Sequence, residues 1–333
     1  MRFNKRVIVF LFLFIVFIVS FLLSISIGTV YFPFKEVIRN IWEGIIGNPI
    51  HPNLIIMEVR LPRVILALLV GASLGGVGAI FQSLFMNPMA DAYVIGISSG
   101  AALGAVVAIA FRLEVLFLGL SSIPIFAFIG GIITVGLVYS ISYKGWHNSM
   151  LNLLLAGLAV NAFLSGLMSL LLLISNTTLH ESIYWLMGGF SGRGWQHIRI
   201  MFPYFVVCTI VLSMYTREAN IMLLGDEQAQ NLGVNVHQVR RILIIFSSLL
   251  TASAVSVSGV IGFVGLIIPH ILRRIIGPDN RALFPASLVG GAILLMLSDL
   301  VARVALSPSE IPVGIVTSLI GAPFFLFLLK KKP

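Results

Sequence analysis

Residues 258–277 read SGVIGFVGLIIPHILRRIIG, an apolar stretch broken by Pro269 and His270 and closed by Arg273 and Arg274. A run this hydrophobic belongs in a bilayer, where a proline and an imidazole must be supported by surrounding protein or line a path. The rest of the chain agrees with that setting. Of its 333 residues, 59% are hydrophobic and only 10% charged, and the mean hydropathy of +1.07 excludes an ordinary soluble domain. A membrane-crossing helix needs about 20 predominantly apolar residues. Charge, turn and Pro/Gly breaks divide the chain into about ten such segments, near 7–28, 59–84, 92–111, 121–141, 149–174, 198–214, 240–257, 260–276, 283–304 and 311–329. The expected fold is therefore an all-α integral membrane protein, with residues 1–333 forming a single transmembrane domain.

An even number of spans puts both termini on one side. Thirteen of the 21 Lys and Arg fall on that side, among them Arg2, Lys5, Arg6, Arg240, Arg241, Arg273, Arg274 and Lys330, which predicts cytoplasmic termini. Residues 7–28 are read as a retained span, because their apolar run exceeds a signal-peptide core; cleavage near Ser24-Ile25-Ser26 would leave nine spans. The net charge of +9 is scattered over helix ends, with no basic stripe interleaved with aromatics, so nucleic acid is not an expected partner. Cys208 stands alone and offers neither a disulfide framework nor a thiolate cluster.

Two connections are long, 29–58 on the outer side and 215–239 on the cytoplasmic side. The second contains Gly225-Asp226-Glu227-Gln228-Ala229-Gln230-Asn231-Leu232-Gly233. Ala229 and Leu232 are spaced to share a helical face and Gly233 to stop the helix, a pattern suited to a groove in a partner protein. On the outer side Arg60 and Arg63 flank Pro62 at a helix start, and Arg303 ends another span; clustered, they would make a cationic patch for an acidic partner. Asp299, inside an apolar span, requires a partner such as Arg303 one turn on. Glycines 71, 75, 76 and 78, and again 96, 100 and 104, predict closely packed helices.

Catalytic motifs fail on context. Gly96-Ile97-Ser98-Ser99-Gly100 matches a serine elbow but opens an apolar helix, with no strand before it. His180-Glu181 lacks the second histidine of a zinc protease, since Tyr184 takes its place. One histidine without neighbouring Cys, Asp or Glu makes His270 a poor metal site and favours a structural role. No P-loop is present, so an ATP-driven role must borrow its motor. The alternatives are a membrane-embedded enzyme using Ser98 or His270, which would act without partners, and a passive channel, which would have no use for a coupling loop.

These segments together resemble the FecCD-type permeases of ABC importers for iron chelates and cobalamin. The likeness runs through RLPR at 60–63, Gln82 and Asn87-Pro88, Gly96 to Gly104, LLLAGLAVNA at 153–162, Trp185 to Gly189, Gly225 to Gly233, GFVGLIIPHILR at 262–273, Asp299 to Arg303, Glu310 to Gly314 and Gly321 to Pro323. The resemblance implies a ten-span, cobalamin-importer-permease-like subunit in a homodimer, with substrate passing between the protomers. It implies two ATPase subunits that hydrolyse ATP with Mg, an external binding protein, no cofactor or metal on this chain and residence in a prokaryotic inner or plasma membrane. By the same resemblance Arg60, Arg63 and Arg303 meet the binding protein, 225–233 forms the coupling helix, and Ser149 and Met150 lie at the inner gate. Met150 is bulkier than the small polar residue of the family pattern there. Ferric siderophore is the expected cargo, with cobalamin, haem and molybdate or tungstate as alternatives.

Overall fold

Apolar periodicity becomes helix throughout the computed structural model, which describes residues 2–46, 54–113, 121–143, 150–175 and 178–330. In chain order the helices are α1 (Arg2–Ser26), α2 (Phe34–Ile46), α3 (Leu61–Leu84), α4 (Ile97–Ala110), α5 (Ser122–Tyr143), α6 (Met150–Ile174) and α7 (Leu179–Leu186). They continue as α8 (Trp195–Met214), α9 (Thr216–Met222), α10 (Asp226–Asn231), α11 (Val236–Ser258), α12 (Val264–Ile276), α13 (Asn280–Val304) and α14 (Val313–Lys330). A π-helical turn, Ile55–Arg60, runs straight into α3, where Pro62 sits in the first turn and its missing N–H costs no hydrogen bond.

Burial ranks these helices. In α3 89% of the apolar window is inside the protein, against 72% in α11, 22% in α1 and 11% in α6. The central helix is α3, and its main partner is α13. Small residues make that contact possible: a Cβ on Gly71 or Gly75 would strike the Gly291 or Ser287 carbonyl oxygen, and one on Gly78 would strike Gly265 of α12. Gly100 and Gly104 bring α4 equally close to α5 at Gly130 and Phe126. The glycine faces thus do what lipid cannot, allowing backbone-to-backbone packing.

Among the described residues seven helices are long and apolar enough to cross a bilayer, and the other expected spans are shorter. The expected 92–111 begins as helix only at Ile97, and 260–276 only at Val264. Both starts are set by left-handed backbone, Gly96 at φ +82° before α4 and Gly259 and Phe263 at φ +70° before α12. At 14 and 13 residues these helices reach about 20 Å, short of a ~30 Å hydrocarbon core. The chain leading into each is non-helical, and before α4 it is bonded internally. Asn87 N–H donates to the Gln82 carbonyl, Val94 N–H to Asp91 and Gly96 N–H to Tyr93, as irregular backbone within a membrane protein requires.

The long outer connection is partly helical. Helix α2 buries Val37 and Asn40 and exposes Phe34, Ile38 and Trp42 at successive turns.

Candidate functional site

At the end of the bundle where α1 finishes and α3 begins, five charged side chains meet. Arg63 grips Asp299 through Nε (3.0 and 3.1 Å) and Nη2 (2.8 Å), and Glu310 through Nη1 (3.0 and 2.9 Å). Arg303 Nε reaches the same Asp299 carboxylate at 3.1 Å, while its Nη2 donates to the Ser24 carbonyl at 2.7 Å. Arg60 Nη1 donates to the Ile25 and Ser26 carbonyls at 2.8 and 3.0 Å, its Nη2 to Val30, and its guanidinium lies 4.9 Å from the Phe32 ring centre. Those carbonyls close the C-terminus of α1, where a cation is favoured.

The sequence expectation is met in part. Arg60, Arg63 and Arg303 do cluster, and Asp299 does pair with Arg303. The surface patch, however, is corrected: each arginine is buried, at 5–7% exposure, because two carboxylates and four carbonyls surround the three guanidiniums. Glu310, 31% exposed along its side chain, forms the rim. Its backbone carbonyl accepts the Tyr184 hydroxyl at 2.9 Å, which ties α7 to the same end.

The opposite end carries the segment read as a coupling helix. Gly225, at φ +102°, precedes α10, and Gly233, at φ +84°, follows it. The Val234 N–H returns to the Ala229 carbonyl at 3.0 Å and the Gly233 N–H to Gln230 at 2.9 Å, which closes the helix as a glycine at that position permits. Asp226 receives Arg240 Nη2 at 2.7 and 2.8 Å. Ala229 and Leu232 do not share a face. The helix stops at Asn231, Ala229 packs into the chain's own core, and Leu232 projects outward with Leu224. The accessible surface of the segment therefore comprises Leu224, Asp226, Glu227, Gln228, Gln230, Asn231 and Leu232.

A polar clasp fixes this segment to the bundle. Asn220, at the end of α9, donates to Asp279 Oδ1 at 2.8 Å and accepts the Asn280 N–H at 2.8 Å. Asp279 also pairs with Arg6 at 3.2 Å, and Asn280 Oδ1 accepts Ser83 Oγ of α3 at 3.0 Å. Burial of the Asp279 carboxyl pushes its pKa up, but the Arg281 N–H, Asn220 and Arg6 outweigh burial and hold it below the ordinary carboxylate value. One cluster thus joins α1, α3, α9 and α13.

Near the clasp, around the end of α3 and the second half of α12, lie the motif residues Gln82, Asn87, Pro88, Pro269, His270 and Arg273. Gln82 Nε2 donates to the Gly265 and Leu266 carbonyls at 3.3 and 3.2 Å, and Arg273 Nη2 approaches its Oε1 at 3.4 Å. Asn87 Oδ1 accepts the Met89 N–H and shapes the turn around Pro88. His270 is buried, edge-on to Phe324 at 6.4 Å, and the Pro88 carbonyl interacts with its ring. Of the expected gate pair, Ser149 lies outside the described residues and Met150 opens α6.

Sequence reasoning missed Asp91. Its carboxylate accepts the Ala92 N–H at 2.7 Å and the Phe263 N–H at the start of α12, while Tyr93 Oη donates to the Ile261 carbonyl at 2.9 Å. Together they pin the entry to α12, which lacks a side-chain cap of its own. An acid abutting an apolar run was the available signal. The elbow-like Gly96 to Gly100 is the first turn of α4, where Ser99 Oγ caps back onto the Gly96 carbonyl.

The helix α6 has another character. It is a spanning helix with most of its surface uncovered, yet Asn161 stands exposed at its middle and Ser169 is exposed two turns on. A bare amide is costly against lipid, so this face calls for protein or water.

Comparison with known proteins agrees with this architecture. The model of the FecCD transport family matches residues 16–331. The chain is 44% identical over 286 residues to the cobalamin import system permease protein BtuC of Halobacterium salinarum, covering 86% of this chain and 76% of that one. It is 41% identical over 279 residues to the hemin transport system permease protein HmuU of Yersinia pestis, covering 83% of each. A solved structure of a metal-chelate type ABC transporter in an inward-facing conformation superposes with a TM-score of 0.85 at 35% identity, covering 98% of this chain and 99% of the other.

Proposed function

Because the chain belongs to the FecCD transport family, we propose that it forms half of a two-fold permease that passes a ferric chelate between its protomers. It is a multi-pass membrane protein and the non-catalytic permease subunit of an ABC importer. Relatives named for iron(3+)-hydroxamate and Fe(3+)-citrate import, 36% identical over 98% of this chain, support an iron chelate as cargo.

The observation that carries the two-fold reading is the exposed Asn161 amide on the largely uncovered helix α6. Against a second copy, Asn161 would line a weakly polar path instead of meeting lipid, whereas the Ser169 hydroxyl is already bonded to the Ser165 carbonyl at 2.9 Å. The lone Cys208 is buried, so cross-linking through a new thiol can be read directly. With a bifunctional maleimide long enough to span the path, which a direct disulfide could not, Asn161→Cys is expected to give a cross-linked dimer in membranes, whereas a cysteine at the exposed Leu11 should not. An exclusively monomeric Asn161→Cys chain would remove the two-fold reading.

Two ATPase subunits, hydrolysing ATP with Mg, would sit against α10 on the cytoplasmic side, which also holds both termini of this prokaryotic membrane protein. Their closure would press on Leu224 and Leu232. The clasp at Asn220, Asp279 and Asn280 would pass that displacement to α13 and to α3, which α13 grips through its glycines, and so rock the halves between outward-open and inward-open states. Leu232→Glu places a charge on the contact face without disturbing the core. With the reconstituted complex, it is expected to reduce transport at least about tenfold while leaving the melting temperature unchanged. Unimpaired transport in that variant, or ATP hydrolysis by this chain alone, would overturn the assignment of α10.

The external binding protein would land on the opposite end. There Arg60, Arg63 and Arg303 would contribute by holding the docking surface in shape, with Glu310 and neighbouring rim residues making the direct approach. The buried network supports this altered role, since its guanidiniums are already engaged.

A further inference from the structure

Helix α1 packs on α13 but keeps most of its surface uncovered, with only 22% of its apolar window buried, and a groove runs down each side. The groove between α1 and α13 has a volume of about 680 Å³, is walled by Phe10, Leu13, Phe17 and Val289, and has Arg6 at its end. The groove on the other side, about 470 Å³, runs between α1 and α12 past Ile8, Phe12, Ile271 and Ile275. From Arg6 to Phe17 the first extends about 16 Å along the helix at 1.5 Å per residue. That is roughly half of a ~30 Å hydrocarbon core, the depth of one leaflet.

Both grooves open onto cations at the same end. Lys5 precedes Ile8 and Val9 by one turn of α1, and Arg274 lies beside Ile271 and Ile275 on α12. Arg281 begins the turns of α13 that lead through Pro285 to Val289. Lys5, Arg274 and Arg281 are exposed, and Asp279, paired with Arg6, is the countercharge at this corner. Lys5, Arg6, Arg274 and Arg281 against Asp279 leave a positive balance at the mouths of two apolar channels. A phosphodiester without an amine of its own answers that balance, whereas a zwitterionic headgroup would bring a further cation into it.

We propose that an anionic phospholipid seats astride α1, its acyl chains in the two grooves and its phosphate among Lys5, Arg6 and Arg281. The lipid fills the two flanks that protein leaves open and completes the packing of α1 on α12 and α13.

The test uses the full-length chain, purified in detergent and stripped of lipid. Melting is followed, and bound lipid counted by native mass spectrometry, on addition of phosphatidylglycerol, cardiolipin, phosphatidylcholine or inorganic phosphate. The two anionic lipids are expected to raise the melting temperature as specific ligands do, with phosphatidylcholine and phosphate inactive. The Lys5→Gln, Arg274→Gln, Arg281→Gln triple variant, which keeps the Arg6–Asp279 pair, should lose about tenfold or more in phosphatidylglycerol affinity. Val289→Trp keeps every charge but fills the first groove, and it should lose bound phosphatidylglycerol as well. It decides the matter if the triple variant fails to fold. Equal stabilisation by phosphatidylcholine, a response to phosphate alone, or undiminished phosphatidylglycerol binding in both variants would overturn the proposal.

Discussion

Asp299→Ala is expected to destabilise the protein by about 3–5 kcal/mol, the cost of breaking a buried ion pair from one side. The carboxylate is 1% exposed along its side chain and is shared by Arg63 and Arg303. Without it, two buried guanidiniums face each other with only Glu310 and backbone carbonyls to answer them. The loss falls on the junction of α1, α3 and α13, because Arg303 also holds the Ser24 carbonyl and Arg60 the end of α1. Glu310→Gln provides the contrast. Its side chain is part-exposed and its amide oxygen can still accept from Arg63, so a loss of about 1 kcal/mol is expected. Thermal unfolding of both variants in detergent checks the ranking. If Asp299→Ala melts with the unsubstituted chain, the network is not the brace described here.

The three arginines and the Asp299–Arg303 pair of this network were legible, whereas Glu310's place in it and the orientation of the whole were not. Arg60 and Arg63 one turn apart, and Asp299 four before Arg303, announce neighbours on helix faces. Nothing in the spacing tells that the end of α1 folds over them with its carbonyls free to accept. The same limit governs α10. Gly225 and Gly233 correctly bound the helix because positive φ is a local property, whereas the direction faced by Ala229 depends on α9 and α11 behind it. Hydropathy placed the ten apolar segments but overran two helix starts, since residues 92–96 and 260–263 are apolar without being helical. Asp91 escaped for a related reason: its partner, the Phe263 N–H, lies far along the chain, and only the tertiary fold brings them together.

Gly71→Leu and Gly166→Leu should separate the requirements of the fold from those of transport. On Gly71 even a Cβ meets the Gly291 carbonyl oxygen and comes within 2.7 Å of the Leu295 Cβ. A leucine there must prise α3 from α13, the principal contact of the bundle. The expected cost exceeds the ~1–3 kcal/mol of ordinary overpacking, because backbone and not a rotatable side chain stands in the way, and little folded protein should be recovered. Around Gly166, on the uncovered face of α6, nothing lies within 4 Å of a new Cβ. Leucine there gains about 0.8 kcal/mol in helix propensity, so the melting temperature should hold or rise. Transport by the reconstituted complex should nevertheless fall by an order of magnitude or more, since in the proposed two-fold assembly the added side chain would enter the space between the protomers. A Gly166→Leu chain that folds and transports normally would show that the side of α6 carrying Gly166 meets lipid.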